Sequence, residues 1–266
     1  MPPRKRFRQK GSASAPPPRP GATVGGSFWI YGHHSVTTAL ANPRRLIRRL
    51  LAIEAEQLPG LAGRAVERTD PAGLASLLPQ GAVHQGIAAL VDPLPLIDLN
   101  ELLEDLPAEA PAHLLLLDQV TDPQNVGAIL RSAAALGASA VILTERNAAP
   151  ESGALAKTAS GALDILPLVR VVNLSRAIEA IKEAGFWCLG LAAEGEMTLA
   201  QSKPPARTAL VLGSEGSGLR RLTREHCDQL VRLPTRGPID QLNVANAAAV
   251  ALYELVRAAP AAPSQN

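Results

Sequence analysis

The sequence predicts an α/β protein whose C-terminal half forms a parallel sheet and whose N-terminal part forms a small α+β domain. From residue 112 onward, short apolar segments alternate with longer helical ones, which is typical of a parallel sheet covered on both faces. Before residue 96, the apolar runs are shorter and surround brief helical segments. The chain has 266 residues, 47% of them hydrophobic and 19% charged, which is enough for two such domains.

Residues 1–26 are predicted to be a disordered basic arm. They include three consecutive prolines and many small residues, which cannot build a core. Their basic residues are Arg4, Lys5, Arg6, Arg8, Lys10 and Arg19. Such an arm can bind an RNA backbone through the release of counterions, although a tail that only aids solubility has the same composition.

Residues 27–95 are predicted to form the small α+β domain. A strand is expected at 28–31 and an amphipathic helix at 35–41, after which Asn42 and Pro43 give the signal for another helical turn. The domain is completed by a helix and three apolar runs, at 71–78, 50–53, 65–66 and 86–91. The acidic stretch 96–111 contains two prolines and is predicted to be a linker with one helical turn.

Residues 112–259 are predicted to form the parallel-sheet domain, and 260–266 a disordered tail. Strands are predicted at 114–118, 140–143, 166–171, 187–191, 209–212 and 229–233. Helices are predicted at 126–136, 153–159, 174–184, 219–226 and 243–258. Open α/β sheets bind ligands beyond the carboxyl ends of their strands, and three polar or glycine-rich segments follow predicted strands in this domain.

Composition excludes several classes of protein. No apolar run is long enough to cross a bilayer, and none follows a basic stretch in the manner of a signal peptide, so we expect a cytoplasmic protein without a membrane partner. Cys188 and Cys227 stand without a second cysteine at ligand spacing. They are therefore expected to be buried small side chains, and neither a disulfide nor a metal site is predicted.

The first of the three segments runs from Asp118 to Arg131 and joins a polar loop to a helix. Asn125 is a plausible N-cap of this helix. Arg131 lies four residues after Gly127, so the two share a helix face, and the long side chain can lean back toward the strand ends. A solvent-facing or salt-bridged arginine is the ordinary alternative.

The second and third segments add an acid and another amide. Residues 210–219 form a buried strand that enters a loop with three glycines and Glu215, which suits close approach to a ligand or a simple tight turn. Residues 237–252 deliver Asn243 to the start of an alanine-rich helix, where capping and close packing are alternative roles. Spacing alone therefore predicts a ligand crevice, but no reaction.

In this order, the three segments resemble the three motifs of the SpoU/TrmH-type methyltransferases of the SPOUT superfamily. The matching stretches are 122–131 (DPQNVGAILR), 212–219 (LGSEGSGL) with the residues up to 234, and 242–246 (LNVAN). Members of this family transfer a methyl group from S-adenosylmethionine to a ribose 2′-oxygen of RNA. The resemblance implies the same reaction here, a deep trefoil knot in the α/β domain, and a homodimer.

The resemblance also implies roles for individual residues. Arg131 activates the 2′-hydroxyl, Asn125 and Asn243 help to hold substrate or cofactor, and Glu215 orients the arginine. The residues implied in holding S-adenosylmethionine are Leu191, Gly213, Glu215, Gly216, Leu233, Leu242 and Asn243. Because a guanidinium stays protonated, Arg131 is a poor general base, and its alternative role is to fix a phosphate and stabilise developing oxyanion charge.

The N-terminal domain resembles the substrate-binding domain of bacterial rRNA guanosine 2′-O-methyltransferases, through residues 30–36 (IYGHHSV) and 84–91 (HQGIAALV). This favours ribosomal RNA as the target and leaves transfer RNA open. The third motif departs from the family, which usually has serine where this chain has Gln241 and Ala245.

Two alternatives come from other classes of protein. A non-catalytic RNA-binding module is one, although this chain retains Arg131 and the loop 213–218. A nicotinamide dehydrogenase is the other. It would need an early strand–turn–helix unit with an acid about 20 residues further on, which this sequence lacks.

Overall fold

A computed structural model describes residues 26–54, 61, 64–239 and 241–258 of the chain. The predicted tail and nearly all of the predicted basic arm lie outside these residues. The described part contains two sheets, with four strands in the N-terminal part and seven in the C-terminal part. Within it, no helix has both the length and the apolar character that crossing a membrane requires.

The N-terminal sheet is mixed in strand direction. Its elements are β1 (Phe28–Tyr31), α1 (His33–Ala41), β2 (Ile47–Ala52), β3 (Glu67–Arg68), α2 (Pro71–Leu77) and β4 (Ile87–Val91). The strand order is β1-β4-β2-β3, with β3 parallel to β2 and the other neighbours antiparallel.

The predicted helical turn after Asn42 is wrong. Because the Asn42 amide oxygen accepts a hydrogen bond from the Arg44 N–H (3.0 Å), it closes a turn that leads into β2.

The predicted linker contains a packed helix, α3 (Leu99–Asp105). Asp98 caps it by accepting hydrogen bonds from the N–H groups of Asn100 and Glu101. Leu99, Leu102 and Leu103 are buried in the core on one face of the larger sheet. Two turns of helix therefore pack this stretch against the C-terminal domain. Its acidic sequence with two prolines had predicted only a linker with one helical turn.

The C-terminal domain alternates strands and helices as predicted. Its elements are β5 (Ala112–Asp118), α4 (Pro123–Ala135), β6 (Ala140–Thr144), α5 (Gly153–Ala159), β7 (Leu168–Val171), α6 (Leu174–Glu183), β8 (Trp187–Leu191), β9 (Met197–Thr198), α7 (Leu199–Ser202), β10 (Arg207–Gly213), α8 (Arg221–His226), β11 (Gln229–Arg232) and α9 (Val244–Ala258). The pair β9 and α7 was not predicted, because two residues of strand carry no periodicity.

The seven strands are all parallel, in the order β7-β6-β5-β10-β8-β11-β9. All seven residues of β5 are buried, as expected for a strand covered on both faces. From the central pair β5 and β10, the sheet extends through β6 to one side and through β8 to the other. The loops after β5 and β10 therefore leave the same edge at the centre of the sheet, which is where such folds bind ligands.

Helix α4 begins earlier than predicted. Asp122 is its N-cap and accepts a hydrogen bond from the Gln124 N–H (2.9 Å), with Pro123 in the first turn. Asn125 is therefore inside the helix, and its side-chain amide does not act as the N-cap. Gly127 faces α5, where a Cβ atom would lie 2.7 Å from the carbonyl oxygen of Leu155, so this glycine allows close packing of the two helices.

A buried arginine joins the two domains. The Arg45 side chain is fully buried, and its guanidinium forms ion pairs with Asp164 (2.6 Å) and Glu151 (3.1 Å) of the C-terminal domain. It also donates to the carbonyl oxygen of Asp92 (2.8 Å) and lies over the Phe28 ring. Removing one partner of a buried ion pair typically destabilises a protein by about 3–5 kcal/mol. The contact therefore fixes the position of one domain on the other.

Candidate active site

The carboxyl ends of β8, β10 and β11 surround a cavity of about 280 Å³, which we call the first cavity. Its walls are the loops that follow these strands and the start of α9. Six of the seven residues that the resemblance implies for cofactor binding line it, namely Leu191, Gly213, Glu215, Gly216, Leu233 and Leu242. The seventh, Asn243, is adjacent in sequence to the lining residues Leu242 and Val244.

The glycine-rich turn after β10 forms one wall of the first cavity. A Cβ atom at Gly213 would lie 2.0 Å from the carbonyl carbon of Gly218, so only glycine lets the two backbone segments come this close. The turn is closed by a hydrogen bond from the Gly218 N–H to the Ser214 carbonyl oxygen (3.0 Å). Gly216 and Gly218 have positive φ angles, as a turn of this kind requires.

The lining of the first cavity combines apolar and polar groups and has a small excess of acid. Glu194 forms an ion pair with Arg224, while Glu215 adds a second carboxylate. Much of the remaining surface is leucine, at Leu191, Leu212, Leu219, Leu233 and Leu242. This combination suits a ligand with an apolar ring and a positive charge.

Three side chains from the three motifs meet beside this cavity, and we call them the amide cluster. The Asn243 amide donates to Glu215 Oε1 (2.5 Å) and to Asn125 Oδ1 (2.9 Å). The Asn125 amide donates to the same Glu215 oxygen (3.1 Å). Asn243 also caps α9, because its Oδ1 atom accepts hydrogen bonds from the Ala245 N–H (2.9 Å) and the Asn246 N–H (3.3 Å).

Asp118 and Arg220 clamp the end of the glycine-rich turn onto β5. The Asp118 carboxylate is fully buried at the last residue of β5. One of its oxygens accepts from Arg220 Nε (2.6 Å) and the other from the Arg220 backbone N–H (3.1 Å). Sequence analysis did not assign a role to either residue. The signal was present, since an aspartate at the end of an otherwise apolar strand must be paired when it is buried.

Comparison with known proteins gives the family. The family described as SpoU rRNA Methylase matches residues 112–253, and the one described as RNA 2′-O ribose methyltransferase substrate binding matches residues 29–96. This chain is a member of the SpoU family. The predicted family and its α/β fold are confirmed.

Relatives in the SpoU family match most of the chain. RlmB of Pseudomonas putida, a 23S rRNA (guanosine-2′-O-)-methyltransferase, is 40% identical over 238 residues, which are 86% of this chain and 95% of that protein. An uncharacterized tRNA/rRNA methyltransferase of Synechocystis is 39% identical over 238 residues, which are 86% of this chain and 62% of the length of that protein.

A solved SpoU structure has the same architecture. The crystal structure of the SpoU methyltransferase AviRb from Streptomyces viridochromogenes, in complex with AdoMet, is 29% identical and has a TM-score of 0.72. The alignment covers 88% of this chain and 90% of AviRb.

The arginine of the first SpoU motif does not join the amide cluster in this chain. Arg131 is exposed, six residues after Asn125 on α4, which is about 9 Å along the helix axis. Its side chain makes no hydrogen bond or ion pair with any residue that the structure describes. Within the described chain, Glu215 bonds to the two asparagines through one oxygen, so its predicted role in orienting Arg131 stays a prediction.

The two departures from the SpoU pattern have different surroundings. Gln241 is exposed and lines the first cavity, so its amide can contact a ligand there. Ala245 is buried in the first turn of α9, where only its backbone N–H is used, by Asn243.

The cysteines belong to the packing around β8. Cys188 is buried and Cys227 partly buried, and burial raises the pKa of both thiols to about 12. Both are therefore protonated and unreactive near neutral pH, as expected of small apolar side chains.

Proposed function

We propose that this chain transfers a methyl group from S-adenosylmethionine to a ribose 2′-hydroxyl of RNA, on a guanosine of 23S rRNA. The amide cluster carries this proposal, because it joins all three motifs of the SpoU family at the wall of a cavity that suits the cofactor. The target is supported by RlmB of Pseudomonas putida, a 23S rRNA (guanosine-2′-O-)-methyltransferase that aligns over 95% of its length. The AdoMet complex of AviRb supports the cofactor.

The first cavity fits S-adenosylmethionine by its shape and its charge. The backbone at Gly216 would come close to the ligand because no atom lies near its missing side chain, and Gly213 contributes by letting the turn pack against Gly218. Leu191, Leu233 and Leu242 would enclose the adenine, and the carboxylate of Glu215 would favour the nearby positive charge. Once bound, the cofactor supplies an electrophilic methyl group on a sulfonium.

The residues around this group orient the acceptor rather than react with it. Glu215 and Asn243 fix the amide of Asn125, which keeps one N–H and one oxygen lone pair for a ligand at a set position beside the cavity. Arg131 would bind the phosphate next to the 2′-hydroxyl and stabilise the negative charge that develops as its proton leaves. Its exposed and unpaired guanidinium supports this role, because nothing in the described chain competes for it.

The N-terminal residues 27–95 would be the substrate-binding domain, and residues 112–259 the methyltransferase domain, with 96–111 between them. The substrate-binding match at 29–96 supports an RNA-binding role for this domain, and the similarity to RlmB supports ribosomal RNA over transfer RNA as the target. His33 and His34 are exposed at the start of α1, within the stretch that resembles the rRNA enzymes. The basic arm would add affinity for the RNA backbone without reading sequence.

A homodimer and a trefoil knot are part of the same proposal, in a cytoplasmic protein. Val250, Tyr253 and Val256 are exposed on one face of α9, which suits contact with a second copy. The chain leaves β10 for β11 on the far side of β8 and then returns so that α9 packs on α4. Such a crossing of earlier chain segments is the arrangement from which a trefoil knot is made.

Transfer of tritium from labelled S-adenosylmethionine to an unmodified 23S rRNA transcript tests the proposal. We expect label on the ribose of one guanosine, detected as a nucleotide link that resists alkaline cleavage. Absence of cofactor binding by calorimetry, or label on a base, would refute it. A tRNA pool in a parallel reaction distinguishes the two targets.

A further inference from the structure

A second cavity, of about 620 Å³, lies at the same edge of the large sheet. It is formed by the loops that follow β5, β6 and β7 and by the start of α8. Gln119, directly after the clamp residue Asp118, is part of its lining, as is Arg220 of the clamp itself. The clamp therefore stands between the two cavities. Arg220 and Arg221 belong to the stretch that follows the second motif, but none of the residues proposed to hold the cofactor lines the second cavity.

Three arginines lie in the otherwise mostly apolar lining of the second cavity. Arg146, Arg220 and Arg221 contribute to it, and among the described residues no aspartate or glutamate does. The Arg146 side chain is exposed and makes no hydrogen bond or ion pair within the described chain. Arg220 uses only Nε on Asp118, which leaves its two terminal nitrogens for a ligand. Arg221 pairs with Glu225 across one turn of an exposed helix, a contact that contributes little stability.

Two further polar side chains of this cavity are held in place, and one of them, Asn173, presents donors. The Thr144 hydroxyl donates to the Arg146 carbonyl oxygen (2.7 Å), which fixes the loop that carries this arginine. Asn173 uses its side-chain oxygen on the N–H groups of Ser175 and Arg176, so its NH₂ group stays available. A cavity with three guanidinium groups and further N–H donors suits an anion with several oxygens.

We propose that the second cavity binds phosphodiester groups of the RNA strand that flanks the target nucleotide. This inference rests on the proposed function. Asp118 and Gln119 lead directly into α4, which carries Asn125 of the amide cluster, so a strand with its ribose at that cluster would reach the cavity next. Phosphate fits the arginines better than a base does, since guanidinium groups bind phosphate through paired hydrogen bonds.

Arg146→Ala, Arg221→Ala and the double variant test this inference. Both side chains are exposed, so the fold should tolerate their removal. Lys203→Ala is the matched control, because it removes one exposed positive charge from the loop before β10, at the opposite edge of the sheet. Arg220 is left intact because it holds Asp118.

The readouts are KM for the 23S rRNA transcript, the cofactor Kd, and the salt dependence of binding to a labelled single-stranded oligouridine. We expect KM for RNA to rise about fivefold for each single variant. The slope of log affinity against log salt should fall by about 0.7 for each arginine removed. The cofactor Kd and kcat should stay unchanged, and Lys203→Ala should match the wild type.

An unchanged KM and salt slope in the double variant would overturn the inference. An equal loss in Lys203→Ala would also overturn it, because the effect would then belong to overall charge. Failure of the wild-type protein to bind S-adenosylmethionine or to methylate RNA would instead count against the proposed function. The two failures are thus distinguishable.

Discussion

The first and second cavities lie side by side at the carboxyl edge of one parallel sheet, yet their linings differ in kind. The first combines leucines, a glycine-rich turn and two carboxylates with one arginine. The second has three arginines and, in the described chain, no carboxylate. The clamp between Asp118 and Arg220 separates them. The difference suits a cationic cofactor on one side and an anionic polymer on the other, with the ion pair of the buried Asp118 and the half-exposed Arg220 between them.

The largest effect is expected on the RNA side, from Arg131→Ala. Loss of a donor that stabilises a developing oxyanion lowers kcat by about 100-fold to 1,000-fold. The cofactor Kd should not change, because Arg131 does not line the first cavity. Steady-state kinetics and calorimetry measure the two quantities. Arg131→Lys keeps the charge but loses the planar fork, and an intermediate kcat is expected. Full activity of Arg131→Ala would contradict the assigned role.

On the cofactor side, Gly213→Ala should abolish most cofactor binding. The new Cβ atom would meet the backbone of Gly218, which cannot move without opening the turn. Overpacking of about 3 kcal/mol corresponds to a loss of about 100-fold in affinity, measured by calorimetry. Gly237→Ala is the control, because a Cβ atom there lies 3.9 Å from its nearest neighbours. If both variants bind the cofactor normally, the glycine-rich turn does not form the site.

Beside the first cavity, Asn243→Ser distinguishes the role of Asn243 as the cap of α9 from its role in the amide cluster. Serine caps helices about as well as asparagine, so the melting temperature should stay near that of the wild type. It lacks the amide that bonds to Asn125 and Glu215, and we expect kcat/KM to fall about tenfold. Asn243→Ala should lose about 1 kcal/mol of stability as well. Wild-type activity in the serine variant would leave Asn243 with a capping role only.

The smallest effect is expected from Gln241→Ser, which restores the residue usual in the family. Gln241 is exposed on the lining of the first cavity, and such changes normally stay within about 0.5 kcal/mol, or about twofold in cofactor Kd. Calorimetry and kcat measure it. A tenfold change in either quantity would mean that Gln241 has a specific contact with the ligand.

Sequence periodicity was sufficient for most strands and helices, because their apolar residues face the buried cores around the two sheets. It failed where local signals competed. Asn125 carries a capping residue type, but Asp122 before Pro123 is the stronger start signal and takes that place. In the predicted linker, α3 was underestimated because its leucines find their partners on a distant part of the sheet.

The residues of the candidate site could be predicted from the sequence, but the hydrogen bonds between them could not. The motifs named Asn125, Glu215 and Asn243, but nothing local shows that one Glu215 oxygen accepts hydrogen bonds from both amides. The second cavity could not be predicted, because Arg146 and the adjacent Arg220 and Arg221 come from segments far apart in the chain. Only the order of strands brings them together.

The buried Arg45 that joins the two domains has a consequence for how a target would be chosen. Asp164 and Glu151 hold its guanidinium, and this buried contact opposes movement of the RNA-binding domain away from the sheet. The distance between the RNA-binding domain and the methyl donor would then stay nearly constant. Selection would depend on whether a folded RNA offers a ribose at that distance, with little need to read the bases in between.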